Sequence, residues 1–313
     1  MLNKRYKIVF AGTPDFAVPG LQALSKDPRF EIKAVITQED KPVGRKQELI
    51  NTPVKKAALL LGLEVLQPKK INNIAKEIAE LEPDFIVVIA YGQILKKSIL
   101  EIPKIACVNV HASLLPKYRG ASCLQAPILN GDKETGVSIM LMDEGLDTGD
   151  ILKQERINLE GNETLEFLHD TLSYLGASIL ADTLDSFAQG KIKPQKQDDT
   201  LSSYVKTIDK KDGKINWNEG AIEIDRKIRA FNPWPGAYGL LDGKIIKIKR
   251  AKVDSNEHPE KKIGEIFEEN KELLVKCGQN SLVILELQLE GKKVMDSQSF
   301  LAGHQDIIGK IIE

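Results

Sequence analysis

The chain has 313 residues, 42% of them hydrophobic and 28% charged, a composition typical of folded proteins and a length that favours two domains. The formal net charge is only −1, which argues against a generic nucleic-acid coat protein, because such proteins are strongly basic. The three cysteines form no CxxC pair, and no apolar run approaches the ~20 residues of a membrane helix, so we expect a protein of the reducing cytoplasm.

Residues 6–150 alternate between strand-like and helix-like patterns. Apolar and β-branched runs predict five strands, at 6–11, 32–36, 63–66, 84–90 and 105–110. Helical periodicity between these runs predicts βαβ units, and therefore a doubly wound, mostly parallel sheet of the Rossmann-like α/β class. An antiparallel pair is expected at 136–142 and 151–157, followed by one long helix over 162–187. We assign residues 1–189 to this first domain.

The character of the sequence changes at Gly190. Residues 191–214 contain seven lysines and four aspartates with little apolar content, so we interpret 190–207 as a basic linker. A helix is predicted over 221–231. The remaining strands are short and closely spaced, at 244–253, 263–267, 272–276 and 282–289. This spacing predicts a small β-barrel of the OB-like kind over residues 208–313.

Two polar residues, Asn109 and His111, stand at the end of the fifth predicted strand. Side chains alternate along a strand, so these two share one face and Val110 points to the other. Ligands bind at the carboxyl ends of strands in open α/β sheets, where an amide beside an imidazole can stabilise a developing oxyanion. Taken alone, the pair is explained more simply as two polar residues that terminate a strand.

A second polar cluster follows in the segment Asp143-Glu-Gly-Leu-Asp147-Thr-Gly-Asp150. Such a glycine-containing loop could bring the Asp147 carboxylate beside His111, orienting the ring and favouring its charged form. A solvated acidic turn is the alternative interpretation. No pair among the four histidines has metal-ligand spacing, so we predict no metal site.

The motif Asn109-x-His111-x-Ser113-Leu114-Leu115-Pro116, with Asp147 downstream, resembles the signature of the 10-formyltetrahydrofolate-dependent formyltransferases. The resemblance is strongest to the members that act on initiator tRNA, and it extends over nearly the whole chain. Residues 10–17 resemble the family's first strand and turn, 90–95 a wall of its folate pocket, and 231–238 the hallmark of its C-terminal domain. The chain departs from the family pattern at Glu39, Lys96, Ser122 and Cys123.

This resemblance implies an enzyme that transfers the formyl group of 10-formyltetrahydrofolate, as cosubstrate and without a metal, to the amino group of methionyl initiator tRNA. It implies N-formylmethionyl-tRNA for translation initiation as the product, and a monomeric, cytoplasmic bacterial protein. The implied catalytic residues are Asn109, His111 and Asp147. The implied substrate-binding residues are Ile89, Ala90, Tyr91, Gly92, Ser113, Leu114, Leu115, Pro116, Met142, Asp143, Glu144 and Gly145.

The same resemblance points to RNA-facing segments. The loop after the second strand matches a tRNA-contacting insertion of the family, with Lys41, Arg45 and Lys46 at its basic positions, although a solvated loop is the alternative. The linker lysines could follow the phosphate backbone or be ordinary solvated residues. Trp234 and Tyr238 could stack on bases, but we expect both to pack in the core of the second domain.

Three other functions stay open at this point. A formyltransferase or formyl-folate hydrolase acting on a small molecule would use the same Asn-His-Asp set. A nicotinamide dehydrogenase, or another nucleotide-binding Rossmann domain, is disfavoured because the chain lacks G-x-G-x-x-G. A non-enzymatic RNA-binding module is disfavoured by the near-neutral charge and by the concentration of polar residues at strand ends.

Overall fold

The computed structural model of the chain describes residues 5–43 and 48–313, and these form two compact units. The first unit contains the described residues up to Cys123, together with Glu134–Asn158 and His169–Val205. The second unit contains Leu124–Lys133, Leu159–Leu168 and Lys206–Glu313. No described helix combines the length and the apolar character that crossing a bilayer requires.

The strands and helices are numbered here in chain order over the described residues. The strands are β1 (Tyr6–Gly12), β2 (Phe30–Ile36), β3 (Lys41–Val43), β4 (Glu48–Ile50), β5 (Val65–Leu66), β6 (Phe85–Ile89), β7 (Ala106–His111), β8 (Arg119–Gly120), β9 (Glu134–Leu141), β10 (Ile151–Asn158), β11 (Tyr204–Val205), β12 (Ala237–Leu241), β13 (Lys244–Asp254), β14 (Ile266–Glu269), β15 (Glu272–Lys276), β16 (Ser281–Leu289) and β17 (Met295–Asp296). The helices are α1 (Val18–Lys26), α2 (Pro53–Leu60), α3 (Ala75–Glu80), α4 (Lys97–Leu100), α5 (Ala126–Asn130), α6 (Leu165–Ala188), α7 (Ala221–Phe231) and α8 (Ser297–Gly303).

The main sheet of the first unit has the strand order β10-β9-β7-β6-β1-β2-β5. The five strands β7, β6, β1, β2 and β5 run parallel to one another. Strand β9 pairs antiparallel with β7, and β10 pairs antiparallel with β9. The chain passes from β1 through β2 to β5 at one edge, then returns to β6 on the other side of β1. The prediction of a doubly wound, mostly parallel sheet is confirmed, and the reversal of strand order places a ligand crevice at the carboxyl ends of β1 and β6.

The local sequence explains most of these elements. All five residues of β6 are apolar and buried, as expected for a parallel strand that is covered on both faces. Helix α2 begins where the Thr52 hydroxyl accepts a hydrogen bond from the Lys55 amide, with Pro53 at the first helical position. Between β5 and β6 the chain forms a 3₁₀ turn at Ile71–Ile74 followed by α3, and the strand predicted over 63–66 pairs only at Val65–Leu66, on the sheet edge.

The second unit is built on an antiparallel sheet with the order β12-β13-β16-β15-β14, and β17 pairs with β16. Helix α7 occupies the predicted range, and its residues Ile224 and Ile228 share one apolar core with Ile248 of β13 and Ile284 of β16. The prediction of an α/β unit followed by a small antiparallel β unit is therefore confirmed.

Residues 309–313 join the two outer strands of this second sheet. Glu313 exchanges two main-chain hydrogen bonds with Leu240 of β12, at 2.7 and 2.8 Å. Ile266 of β14 donates to the Lys310 carbonyl at 2.9 Å, and the Ile312 amide donates to the Gly264 carbonyl at 2.9 Å. The last five residues thus supply partners to both edges of the sheet.

Residues 190–205, which the sequence suggests are linker, make regular contacts with the first unit. Gln195 forms an antiparallel bridge with Ile151, and β11 pairs with β8. The boundaries that we assigned to the domains and the linker stay a prediction. The expectation that Trp234 packs in a core is wrong, because its side chain is 49% exposed.

Candidate active site

The two polar residues at the end of β7 are fixed by strands on both sides. Strand β6 runs parallel, with Val88 beside Asn109, and β9 runs antiparallel, with Ser138 beside His111. The Asn109 side chain is partly exposed, whereas His111 is only 6% exposed. The alternation of β7 therefore presents an accessible amide and a buried imidazole on one face of the sheet, as the sequence predicts.

Both ring nitrogens of His111 have neighbours that favour a charged ring. His111 Nε2 lies 2.9 Å from the Tyr118 carbonyl oxygen, and because a carbonyl only accepts, this nitrogen carries a proton. His111 Nδ1 lies 3.7 Å from Asp147 Oδ2, a distance for charge attraction rather than a hydrogen bond. The Cys123 side chain also interacts with the ring and raises its pKa. The predicted proximity of Asp147 to His111 is thus present in the fold.

The electrostatic balance around the ring can be stated in terms of its pKa. Burial lowers the pKa of His111. The opposite effect of Cys123, Asp147 and the Tyr118 carbonyl is larger, so the pKa is raised to about 9. The ordinary value is 6.5, so the imidazole is protonated at neutral pH. A fixed positive charge at the end of β7, beside an accessible amide, is suited to stabilising negative charge on a substrate oxygen.

Asp147 is held in the loop between β9 and β10 by its side chain and by its backbone. Its Oδ2 accepts a hydrogen bond from the Gly120 amide at 2.8 Å, and its φ of 55° lies in the left-handed region. The start of the loop is stabilised separately, because Asp143 accepts from the Gly145 amide at 3.0 Å and from the Thr148 hydroxyl at 2.7 Å. The acidic loop is therefore more than a solvated turn.

The predicted substrate-binding segment Ile89–Gly92 begins with the last residue of β6, the strand that pairs with β7. The Tyr91 carbonyl accepts hydrogen bonds from Thr13 Oγ1 at 3.0 Å and from Gln38 Nε2 at 2.8 Å. Ala90 is exposed, whereas the Tyr91 side chain is buried and its hydroxyl has no partner. Ala90 is thus an exposed residue just beyond the carboxyl end of β6, and the role of this segment in substrate binding stays a prediction.

The other predicted substrate-binding residues lie in two segments of the same unit. Ser113 is fully buried, and its hydroxyl donates to the Lys117 carbonyl at 2.6 Å. Leu115 is also buried, whereas Leu114 and Pro116 are partly exposed. The second segment is 142–145, in which Met142 is partly exposed and residues 143–145 are exposed. The side chain of Ser113 thus has a structural contact, while the acidic segment is open to solvent.

The predicted tRNA-binding residues are only partly covered by the described residues. Lys41 lies on β3, which forms a hairpin with β4, and it is exposed. Arg45 and Lys46 lie outside the described residues. Sequence reasoning missed the roles of Gly120 and Gln197, whose contacts come from segments distant in sequence. It noted Cys123 only as a departure from the family pattern.

One group of possible metal ligands occurs among the described residues, in the second unit. Atoms of Asp254, His258 and Glu269 lie within 4.8 Å of one another. His258 Nε2 donates to Asp254 Oδ2 at 3.0 Å, and its ring meets the edge of Phe267. A hydrogen-bonded loop contact accounts for this arrangement. The absence of a metal requirement stays a prediction.

Comparison with known proteins extends over both units. The family model described as "Formyl transferase" matches residues 6–184, and "Formyl transferase, C-terminal domain" matches residues 207–305. A protein of Caldanaerobacter subterraneus subsp. tengcongensis named methionyl-tRNA formyltransferase is 45% identical, covering 98% of this chain and 100% of that protein. A protein of the same name from Citrifermentans bemidjiense is 48% identical, covering 96% and 94%.

Solved structures with this fold include N-formyltransferases. One from Helicobacter canadensis, in complex with folinic acid and dTDP-3-aminofucose, has a TM-score of 0.68 at 24% identity, covering 89% of this chain and 98% of that one. WlaRD, a sugar 3N-formyltransferase, has a TM-score of 0.66 at 26% identity, covering 92% and 99%. Together with the family matches and the near-full-length relatives, these findings show that the chain belongs to the formyl transferase family, among the proteins named methionyl-tRNA formyltransferase.

Proposed function

We propose that the protein transfers the formyl group of 10-formyltetrahydrofolate to the amino group of methionyl initiator tRNA, giving N-formylmethionyl-tRNA. The observation that carries this proposal is the buried His111, 3.7 Å from Asp147 and on the same strand as the accessible amide of Asn109, in a chain whose relatives carry that name over nearly their full length. We propose a monomeric, cytoplasmic protein that needs no metal for this reaction.

The reaction begins when the neutral methionyl amine attacks the formyl carbon, and negative charge develops on the formyl oxygen. The Asn109 amide donates a hydrogen bond to that oxygen, and the charge on His111 stabilises it. Asp147 keeps the imidazole protonated and accepts a proton from the attacking amine, directly or through a water molecule. The bond between the formyl carbon and N10 of the folate then breaks, N10 takes up that proton, and tetrahydrofolate leaves. No side-chain nucleophile is required. Burial raises the pKa of the Cys107 thiol to about 12, so this residue is unsuited to nucleophilic attack.

The formyl donor is placed in the crevice at the ends of β1 and β6. There the main chain of 89–92 and the exposed segment 142–145 offer polar groups, close in the fold to β7. Leu114 and Pro116 supply partly exposed apolar surface for the folate ring. Structures of relatives in the presence of folinic acid and of 5-N-formyl-THF support a folate-type donor.

The acceptor tRNA is expected to contact the exposed hairpin around Lys41 together with Arg45 and Lys46. Replacing these three residues by alanine should weaken tRNA binding and reduce the dependence of log Kd on log salt by about two to three units, since each phosphate contact contributes a slope of about 0.7–0.9. The measurement is tRNA affinity over a salt series. Replacing the exposed Lys69, Lys70 and Lys76 removes the same charge and serves as the control. An equal loss of slope in both variants would contradict the assignment.

The pH dependence of the reaction follows from the raised pKa of His111. The acceptor α-amine must lose its proton, near pH of about 7.7–8.0, before it can attack. Catalysis should then be lost as the pH rises through about 9, where His111 becomes neutral. The contribution of His111 to folding stability has the same sign: it is complete below its ordinary pKa of 6.5 and disappears through about 9.

We expect a bell-shaped profile of kcat/KM against pH, with a falling limb near 9 that is missing from the residual activity of His111→Ala. If His111 acted as a general base, the rate would rise as the ring loses its proton. A plateau above pH 9 in the unmodified protein would therefore contradict the role of protonated His111 in stabilising the oxyanion.

A small amine is the second candidate acceptor, because a sugar 3N-formyltransferase shares the fold at 26% identity. The deciding experiment supplies 10-formyltetrahydrofolate with charged initiator tRNA in one reaction, and with an amino-sugar nucleotide or glycinamide ribonucleotide in others. Rapid formylation of the tRNA alone is the expected result. Preference for a small amine would overturn the proposed acceptor while leaving the chemistry of Asn109, His111 and Asp147 intact.

A further inference from the structure

Gln197 is a buried amide in the segment between α6 and β11. It is 6% exposed, although the sequence around it, Lys-Gln-Asp-Asp, is strongly polar. The antiparallel bridge between Gln195 and Ile151 places this segment beside the end of the acidic loop. A buried polar side chain must have its hydrogen bonds satisfied, so the partners of Gln197 indicate what it holds in place.

Both the nitrogen and the oxygen of the Gln197 amide form two hydrogen bonds, the nitrogen with the Asp147 loop and the oxygen with Arg119. Its Nε2 donates to the Asp147 carbonyl at 2.9 Å and to the Gly149 carbonyl at 2.7 Å. Its Oε1 accepts from Arg119 Nε at 3.0 Å and from Arg119 Nη2 at 2.8 Å. A carbonyl only accepts hydrogen bonds and a guanidinium only donates them, so a side chain that bridges the two must have both a donor and an acceptor, as an amide does. Gln197 therefore connects the Asp147 loop to Arg119.

Arg119 is itself immobilised. It is 2% exposed; its Nη1 donates to the Tyr204 hydroxyl at 3.0 Å, and its Nη2, besides bonding Gln197, donates to Asp199 at 2.7 Å. The next residue, Gly120, donates its amide to the Asp147 carboxylate at 2.8 Å. The backbone of Asp147, through Gln197, and its carboxylate, through Gly120, are thus both fixed relative to the same two residues.

Asp147 needs such support for a physical reason. Its backbone is left-handed, a conformation that a non-glycine residue keeps only where its surroundings impose it, and the preceding residues 143–146 are exposed. A freely moving loop would let the carboxylate turn toward water and leave the buried imidazole without its charge partner.

We propose that Gln197 is a positioning residue, which holds the Asp147 carboxylate beside His111 by bonding the backbone of Asp147 and Gly149 to the buried Arg119. The inference rests on the proposed function in that Asp147 is taken to act through His111. It gives the segment 190–205 a part in building the active site, in addition to joining the two units.

The direct test is the titration of His111, observed by NMR of the ring in the whole protein. The titratable groups that raise the pKa of this ring are Cys123 and Asp147, and Gln197 bonds the backbone of the second. Gln197→Ala should lower the pH at which His111 titrates, as Asp147→Asn should, and the double variant should titrate no lower than Asp147→Asn alone. Gln195→Ala is the matched control, because its side chain is exposed and its bridge uses the backbone.

A second readout is the rate of formyl transfer. Gln197→Ala should lower kcat by about ten- to a hundredfold, as misplacement of a catalytic group does, with little change in KM for folate. In the Asp147→Asn background the same substitution should change kcat little, because both act through one carboxylate. Gln197→Met, which keeps the side-chain volume but has no strong hydrogen-bonding group, should reproduce Gln197→Ala if cavity formation is not the cause.

An unchanged His111 titration in a folded Gln197 variant would overturn the proposal, as would losses in kcat that multiply in the double variant. The titration requires no acceptor, so it stands whichever amine is formylated. Failure to formylate methionyl-tRNA would instead overturn the proposed function and leave the positioning result unaffected.

Discussion

Replacing His111 by alanine is expected to lower kcat for formyl transfer by about two to four orders of magnitude, the usual cost of losing an oxyanion-stabilising or acid–base group. The substitution removes the positive charge at the end of β7 and leaves Asp147 without its partner. The Kd for folate should change little, because the main chain of 89–92 keeps its bonds to Thr13 and Gln38. Single-turnover formylation and equilibrium folate binding measure the two quantities separately.

Two comparisons make this result specific. Asn109→Ala and Asp147→Ala should give losses of the same order, and the double variants should lose less than the product, because the three side chains act on one oxyanion. His169→Ala is the matched control: His169 lies on α6 of the same unit and pairs with Asp15 and Asp170 instead. A His111→Ala variant with near-normal kcat would show that the assigned mechanism is wrong.

Gly120→Ala is expected to damage both stability and catalysis. Gly120 has a φ of +104°, and an added Cβ would lie 2.4 Å from the Val205 carbonyl oxygen. Backbone strain and the collision together should cost about 2–6 kcal/mol of unfolding free energy, which lowers Tm by about 2–4 °C per kcal/mol. The amide that holds the Asp147 carboxylate moves as well, so kcat should fall about a hundredfold.

Thermal melting and kcat of the Gly120→Ala protein check these expectations against Gly161→Ala. Gly161 has a similar φ of +94°, but no atom lies within 4 Å of its added Cβ. That control should show only the strain, about 1–3 kcal/mol, with kcat unchanged. Equal changes in Tm and kcat in the two variants would mean that the contact between β8 and β11 does not affect the candidate active site.

The features that sequence predicts correctly are those set by local pattern. The apolar run of β6 and the 3.6-residue periodicity of α7 fix the type of each element, and the alternating order of strands and helices fixes the doubly wound sheet. Asn109 and His111 could be placed on one face because a strand has period two. The loop of Asp147 was suggested by its glycines and acidic residues, and the fold brings it to 3.7 Å from the ring.

The features that sequence cannot predict depend on contacts between distant segments. Gln197 is 50 residues from Asp147 and 78 from Arg119, and its surroundings have the composition of a solvated linker. The amide of Gly120 has no side chain to signal its role. The prolines on both sides of Trp234 favour a rigid, buried turn, yet its side chain is 49% exposed, because a local motif does not decide which side chains the rest of the fold covers. In each case the partner, rather than the local pattern, decides the outcome.

The pairing of residues 309–313 with β12 and β14 has a consequence for how the second unit behaves in concentrated solution. An outer strand with a row of free amide and carbonyl groups is a template onto which a strand of another molecule can add, and this is a common start of aggregation. Here Leu240 of β12 already exchanges main-chain hydrogen bonds with Glu313, and Ile266 of β14 with Gly309 and Lys310. The substitution Ile312→Ala removes a buried apolar side chain and should weaken the pairing of residues 309–313 with the two outer strands. We therefore expect this variant to self-associate at temperatures well below global unfolding.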